Sequence, residues 1–477
     1  VRRRTLTLIA VMFTLLLMMH LEVVQALEAE AEPDILTRIE RSITWLEAHR
    51  SITPLGSYYS LDSGESALIS VAENSAVAYI LTMHTKLMPT RKYIPEILSI
   101  LRFTLNAKAG AYFHLYYNVC EGAWISGPQP YYGNAEILQN IAFASFHLRL
   151  EDQLLLEDEK KLLDEAVESS EDLIDVLAET SRVSGGAWKL RYEDGSSQAR
   201  LRENSMILVS LLHVAAYEEK WGSSERSRLY GEYAQETARW ILKAQEKEPT
   251  RWGYGGFYET AEDSAQSTIS NAVAVFSLTT YLRLISLIDE EPNPTIQEVR
   301  EAVILWEEAF LRRMVDEHGG PYQGRDKTGV RKYPKELLAA SMILRAMVET
   351  WVVHGDPKYR VWCITLYEWI TGGNEAGVDL QLEDGSFSNG LSASGAPEGS
   401  ADLYTSIYTV ASLIYGEWIN IPEAPLKAVP LLLTLILLVG FKLTSRVCPG
   451  RAPIDKQSLR RQPMTPGSPC ESYIGNP

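Results

Sequence analysis

"QLEDGSF", residues 381–387, places an Asp-Gly turn and an aromatic between two stretches of helical pattern. Gly takes backbone angles closed to other residues, and the aromatic behind it has a ring to bury. Six places along the chain carry this punctuation: "GSYY" at Gly56, "GAYF" at Gly110, "GGAW" at Gly185, "GGF" at Gly255, "GGPY" at Gly319 and "GSF" at Gly385. The intervals are 54, 75, 70, 64 and 66 residues, a period that marks a repeat architecture. Before each lies an amphipathic stretch, and after each a small polar or acidic residue opens a second helical stretch. These openings are "ENSAVAYIL" at Glu73, "NAEILQNIAFASF" at Asn134, "ENSMILVSLLHVAAY" at Glu203, "SNAVAVFSLTTYL" at Ser270, "PKELLAASMIL" at Pro334 and "DLYTSIYTVASLI" at Asp402.

The two helix types differ in pattern. In residues 159–180 the apolar positions Leu162, Leu163, Ala166, Val167, Leu173, Ile174 and Leu177 form one stripe, with acids on the other face, as a helix with one wet side requires. In residues 206–217 apolar side chains occur all round, so that helix is enclosed. Six alternations of the two types predict an all-α protein, an (α/α)6 toroid of six helical hairpins over residues 35–420, with enclosed helices inside and half-wet ones outside. An irregular helical solenoid is the alternative built from the same hairpins. Each Gly is expected to end an outer helix in a left-handed cap, and each aromatic to plug the gap beneath the loop. Trp188 and Phe257 are two such plugs.

The stretch Gln381 to Phe387 resembles the QW repeat of terpenoid cyclases and protein prenyltransferases, Gln followed by Gly-x-aromatic; "WILKAQ", Trp240 to Gln245, with Gly255-Gly256-Phe257, is a looser copy. That resemblance implies an α/α toroid, an architecture similar to six-hairpin glycosidases and the carboxy-terminal domain of glucuronyl C5-epimerase. Residues 122–139 are faintly similar to the last of these. The resemblance is architectural over most of residues 35–420, and fold does not imply function. The acid cluster that such a cyclase needs is missing: "AEDSAQS", 261–267, offers only Glu262 and Asp263. Prenyltransferase zinc ligands are missing too, since Cys363 falls on an outer helix.

The two ends of the 477 residues read differently from the middle. Arg2-Arg3-Arg4, an apolar run from Leu6 to Met19 and Val24-Gln25-Ala26 make a secretory signal over 1–26, with an uncleaved anchor as the alternative. An acidic linker, 27–34, follows. Residues 426–444 surround "AVPLLLTLILLVGF" and are long enough for one transmembrane helix, flanked by snorkelling lysines. The tail, 445–477, is basic, which keeps it in the cytoplasm and puts the toroid outside the cell membrane. Of the net charge of −17, the leader takes +2 and the segment from Lys442 onward +4, which leaves −23 for residues 27–441. That field repels phosphate backbones, so no nucleic acid is expected as partner. No CxxC pair occurs, and neither metal nor cofactor is indicated.

In a toroid all inner helices start at one mouth, which gathers residues distant in sequence. The candidate catalytic residues are therefore Glu73, Glu136, Glu203, Asp263 and Asp402, with His114 as a candidate base. Each acid could equally be a helix cap, but crowded carboxyl groups perturb one another's pKa. The candidate ligand-binding residues are Trp124, Tyr131, Tyr132, Tyr192, Trp252 and Tyr254, whose rings suit sugar faces, and Arg251, Arg325 and Arg331, which suit carboxylates. The expected partner is an extracellular glycan or envelope component, bound or processed by a membrane-anchored ectodomain. As an enzyme it would hydrolyse a glycoside or act as a uronate epimerase or lyase. A non-catalytic protein- or envelope-binding ectodomain is the competing reading, and terpenoid chemistry a weaker third.

Overall fold

The computed structural model describes residues 35–418, except 62–67, 126–128, 261–264, 290 and 326–329. The expected signal, linker, membrane span and tail lie outside the described residues, as does Asp263.

Twelve helices make up the described scaffold when 296–314 is counted as one. They alternate as outer and inner partners: α1 Ile35–Ala48, α2 Val71–Leu87, α3 Ile94–Asn106, α4 Gly133–Leu150, α5 Glu157–Thr180, α6 Leu201–Trp221, α7 Ser224–Lys243 and α8 Thr268–Leu284. They continue with α9 (296–314), α10 Leu337–His354, α11 Pro357–Ile370 and α12 Leu403–Trp418. The middle of α9 relaxes into a π-helical turn, Trp306–Leu311. Each even-numbered helix packs on the next, and α12 packs on α2, so the inner ring closes. The chain is a toroid, not an open solenoid.

The expected patterns match the burial. In α5 the seven stripe residues are buried and the acids are exposed except Glu159 and Glu171, which pair with Arg91 and Arg226. In α6 every residue from Glu203 to Glu218 is buried, because it touches two inner neighbours, an outer partner and the axis. Trp188, Phe257 and Phe387 are fully buried plugs, each ring contributing about 2–3 kcal/mol by burial.

Two corrections concern the turns. The repeated glycines do have positive φ, but they do not cap the outer helices. Helices α3, α5, α7 and α11 end at Ala107, Ser181, Ala244 and Thr371, none of them in the left-handed region, and the glycines follow in the turns of short antiparallel hairpins. The all-α expectation also omitted strands. The mouth-side loops pair into small sheets, the largest running Gln266–Ser267, Tyr322–Arg325, Arg331–Glu336, Ser388–Leu391 and Pro397–Ser400. Loops this long carry many backbone polar groups, and pairing them satisfies those groups without water.

The stretch 381–387 is the clasp of the ring. Gln381 donates its amide to the Arg38 carbonyl at 2.9 Å and to Ser42 Oγ at 2.8 Å, tying the last outer hairpin to α1. Gly385, φ +93°, lies so close to the Arg41 carbonyl that a Cβ would collide with it. Gln245, the looser copy, does the same one-third of the way round: its amide donates to the Ala302 carbonyl of α9 at 2.8 Å. Cys120 is exposed, Cys363 is buried on α11, and both are free thiols.

Candidate functional site

Four of the inner helices open with an Asn in their first turn: Asn74, Asn134, Asn204 and Asn271. Each accepts from the backbone N–H of its own plug, Tyr59, Phe113, Trp188 and Phe257, at 2.6 to 2.8 Å. Each also donates back to that plug's carbonyl. The clamp fixes the mouth loops to the ring, and the adjacent residue in the helix, Glu73 or Glu203, is thereby aimed at the opening.

The ring brings Glu73, Glu136, Glu203 and Asp402 to one end, as the topology predicts. Their environments then separate them. Asp402 caps α12, accepting from the Thr405 N–H at 2.7 Å. Glu203 accepts from the Tyr192 hydroxyl at 3.0 Å, and Arg200 lies over that tyrosine ring at 3.8 Å. Glu136 is buried, accepts from the Tyr408 hydroxyl at 3.0 Å and stands 3.9 Å from Arg202 Nη2, whose guanidinium also meets the Tyr404 hydroxyl. Burial raises the Glu136 pKa, while Arg202 and Tyr408 pull it back. The Glu73 carboxyl has no hydrogen-bonding or ion-pair partner among the described residues. Burial, then the charges of Glu136 and Asp402, push its pKa up to about 7.

Beside these acids a cleft of about 660 Å3 is lined by Arg200, Arg202, Glu203, Glu259, Ser267 and Ser270. Below the mouth the axis of the ring is filled. Halfway down the axis Arg345, 3% exposed, sits among four rings, with Phe276 at 3.6 Å and Tyr79, Tyr408 and Tyr415 within 5.8 Å. The funnel is therefore a cup, and Tyr408 links its floor to Glu136.

Several expected ligand groups are occupied otherwise. Trp124 packs on Phe103 and Tyr117 in a small satellite core, and His114 stacks over it at 6.2 Å. Arg251 is exposed and held by Glu246 at 3.1 Å. Tyr131 lies under Arg191. Tyr132 stacks on Tyr192 at 5.5 Å, a pair of rings at the rim. Trp252 lies beneath Arg325, Tyr254 beneath Arg313, and exposed Arg331 lies over Tyr322. Arg325 is 5% exposed, has one long hydrogen bond to Gln266 (3.4 Å) and no carboxylate partner among the described residues. Burial and its neighbours Arg313 and Arg331 push its pKa down to about 10.

The sequence reading missed Arg200, Arg202, Tyr404, Tyr408 and Arg345. Arg202 adjoins Glu203 at a helix opening, and Tyr404 and Tyr408 are spaced i, i+4, which puts them on one helix face. Arg345 gave no signal beyond being a charge inside an enclosed helix.

No family model matches the sequence, and no curated protein does either. Solved structures do match in fold. Cellobiose 2-epimerase from Spirochaeta thermophila DSM 6192 superposes with a TM-score of 0.58 at 14% identity, over 81% of this chain and 96% of that one. A D-mannose isomerase gives 0.60 at 12%, over 81% and 97%. An unsaturated glucuronyl hydrolase specific for heparin gives 0.53 at 11%, over 82% and 97%. The fold is the six-hairpin α/α toroid of these carbohydrate-processing enzymes. The likeness to terpenoid cyclase repeats rests on the Gln-Gly-aromatic clasp alone.

Proposed function

We propose that the mouth binds and processes a glycan by carboxyl acid–base chemistry. The observation that carries this reading is Glu73: a partly buried acid at the mouth, without a hydrogen-bonding or ion-pair partner among the described residues, whose pKa is pushed up to about 7. Like charges in one place do not all ionise, so a proton is left on one of them. Glu73 has no donor to its carboxyl among the described residues and keeps the proton; at Glu136, Arg202 and the Tyr408 hydroxyl favour the anion against the burial that raises its pKa. One acid and one base are what glycoside cleavage or a proton shift at a sugar carbon requires. Arg200 and Arg202, which line the cleft, suit a saccharide bearing an acidic group.

The test is incubation of the purified protein with uronic-acid polymers and with neutral glycans, followed by product analysis. Turnover of an acidic polymer that Glu73→Gln reduces by about 10²–10⁴-fold, with folding intact, is the expected result. Binding with no turnover of any polymer would replace this reading by the non-catalytic ectodomain.

The leader and the apolar segment 426–444 add a location to the proposal: the toroid is displayed on the outer face of the cell membrane. Labelling of intact cells with a membrane-impermeant reagent, and its loss on removing residues 426–444, checks this.

A further inference from the structure

The strands Tyr322–Arg325 and Arg331–Glu336 set Arg325 and Arg331 directly opposite each other, with Arg313 near them at the end of α9. Like charges that face across a strand pair weaken it. Burial, then the charges of Arg313 and Arg331, lower the Arg325 pKa. The chain carries 62 acidic residues against 45 basic ones, yet none of these three arginines has an ion-pair partner among the described residues. Each lies on a ring instead: Arg325 on Trp252 at 5.7 Å, Arg313 on Tyr254 at 5.8 Å and Arg331 on Tyr322 at 5.0 Å.

Solvent reaches this cluster. Arg331 is exposed and Arg313 half-buried, while Arg325, buried behind them, adds its charge. Gln266 holds the buried guanidinium in place: its Oε1 accepts from Arg325 Nη2 at 3.4 Å, and its Nε2 donates to the Gly253 carbonyl at 2.8 Å. Trp252 is half-buried, and Tyr333, 48% exposed, meets Tyr322 edge-on at 5.2 Å. Arg325 pairs with Gln266, whereas the next residue, Ser267, lines the mouth cleft. Successive side chains leave a strand on opposite faces, so the cluster is turned away from the cleft.

We propose that this edge of the sheet is a second saccharide site, which takes the oxyanion of an acidic sugar, carboxylate or sulfate ester, at Arg313 and Arg331. Guanidinium forks match such oxygens in pairs, an anion there relieves the repulsion among the three cations, and the rings of Trp252 and Tyr333 offer faces to the sugar. Nothing in the mouth chemistry uses these groups.

The experiment is calorimetric titration of the full chain at low ionic strength. The probes are tetragalacturonate, which bears carboxylates alone, and a heparin tetrasaccharide, which bears sulfates as well, with maltotetraose as the uncharged control. Saturable binding of an acidic probe is expected, at least about tenfold tighter than maltotetraose, the worth of a charge-assisted hydrogen bond. Binding of both acidic probes assigns the carboxylate, and of heparin alone the sulfate. Arg331→Gln and Arg313→Gln are each expected to weaken it by about tenfold. Lys332→Gln makes the same charge change one residue along, on the opposite face of the strand, and leaves it unchanged. Arg200→Gln, at the mouth, leaves the Arg331-dependent binding unchanged too, so this site is tested apart from the acid–base reading. No saturable binding, equal binding of maltotetraose, a loss in Lys332→Gln as large as in Arg331→Gln, or loss of the Arg331-dependent binding in Arg200→Gln each overturns the proposal. Should Arg313→Gln fail to fold, the exposed Arg331→Gln decides alone.

Discussion

Gly385 and Gly110 share a positive φ but not a neighbourhood. At Gly385 a Cβ would both force a left-handed backbone and strike the Arg41 carbonyl; at Gly110 nothing lies within 4 Å. Gly385→Ala is therefore expected to destabilise by about 2–4 kcal/mol and Gly110→Ala by about 1–2 kcal/mol, compared by denaturant unfolding. Glu73 makes a prediction of a different kind. Its folded pKa of about 7 lies above the ordinary 4.5, so the folded chain holds a proton that the unfolded chain has lost. Stability from this group is complete below pH about 4.5 and is lost as pH rises towards about 7. Glu73→Gln should thus raise stability at pH 8 relative to the parent and change it little at pH 4. Activity through Glu73 as proton donor should fall above pH about 7 in the parent.

At the scale of elements, the inner helices are bound to their loops by the Asn clamps more than by caps of the usual kind. Asn204 makes three hydrogen bonds, to the Trp188 N–H, the Trp188 carbonyl and the Arg200 carbonyl. Asn204→Ala leaves the Trp188 groups buried and unanswered, and a loss of about 2–4 kcal/mol is expected in thermal or chemical unfolding. Asn204→Asp separates geometry from charge: it keeps the acceptor for the Trp188 N–H but loses both donations, so an intermediate loss is expected. The Asn positions were in plain view within "ENS", "GNA" and "SNA", yet no sequence argument singled them out. Their meaning depends on a plug some 14 to 21 residues upstream being folded against them.

For the whole molecule, closure is the decisive event. Gln381 and Arg38 join the two ends of the described chain, the latter through a 2.6 Å ion pair with Asp379 that leaves Arg38 only 1% exposed. Gln381→Ala is expected to lower hydrogen-exchange protection in α1, α11 and α12 together, while α5 to α7, on the far side of the ring, keep theirs. Equal loss all round would mean that the ring unfolds as one unit and that the clasp has no local role.

Six glycine-aromatic turns and two kinds of helical stripe determined the hairpin count, the inner and outer assignment and the mouth acids, because burial periodicity and turn chemistry are local properties of a chain. Only the tertiary structure decided which acid stands alone. Tyr408 and Arg202 reach Glu136 from far along the chain, while Tyr192 and the Thr405 amide claim Glu203 and Asp402 from close by, leaving Glu73 without a partner among the described residues. A carboxyl group's proton affinity is set by what surrounds it in space, and in a closed ring those surroundings are distant in sequence.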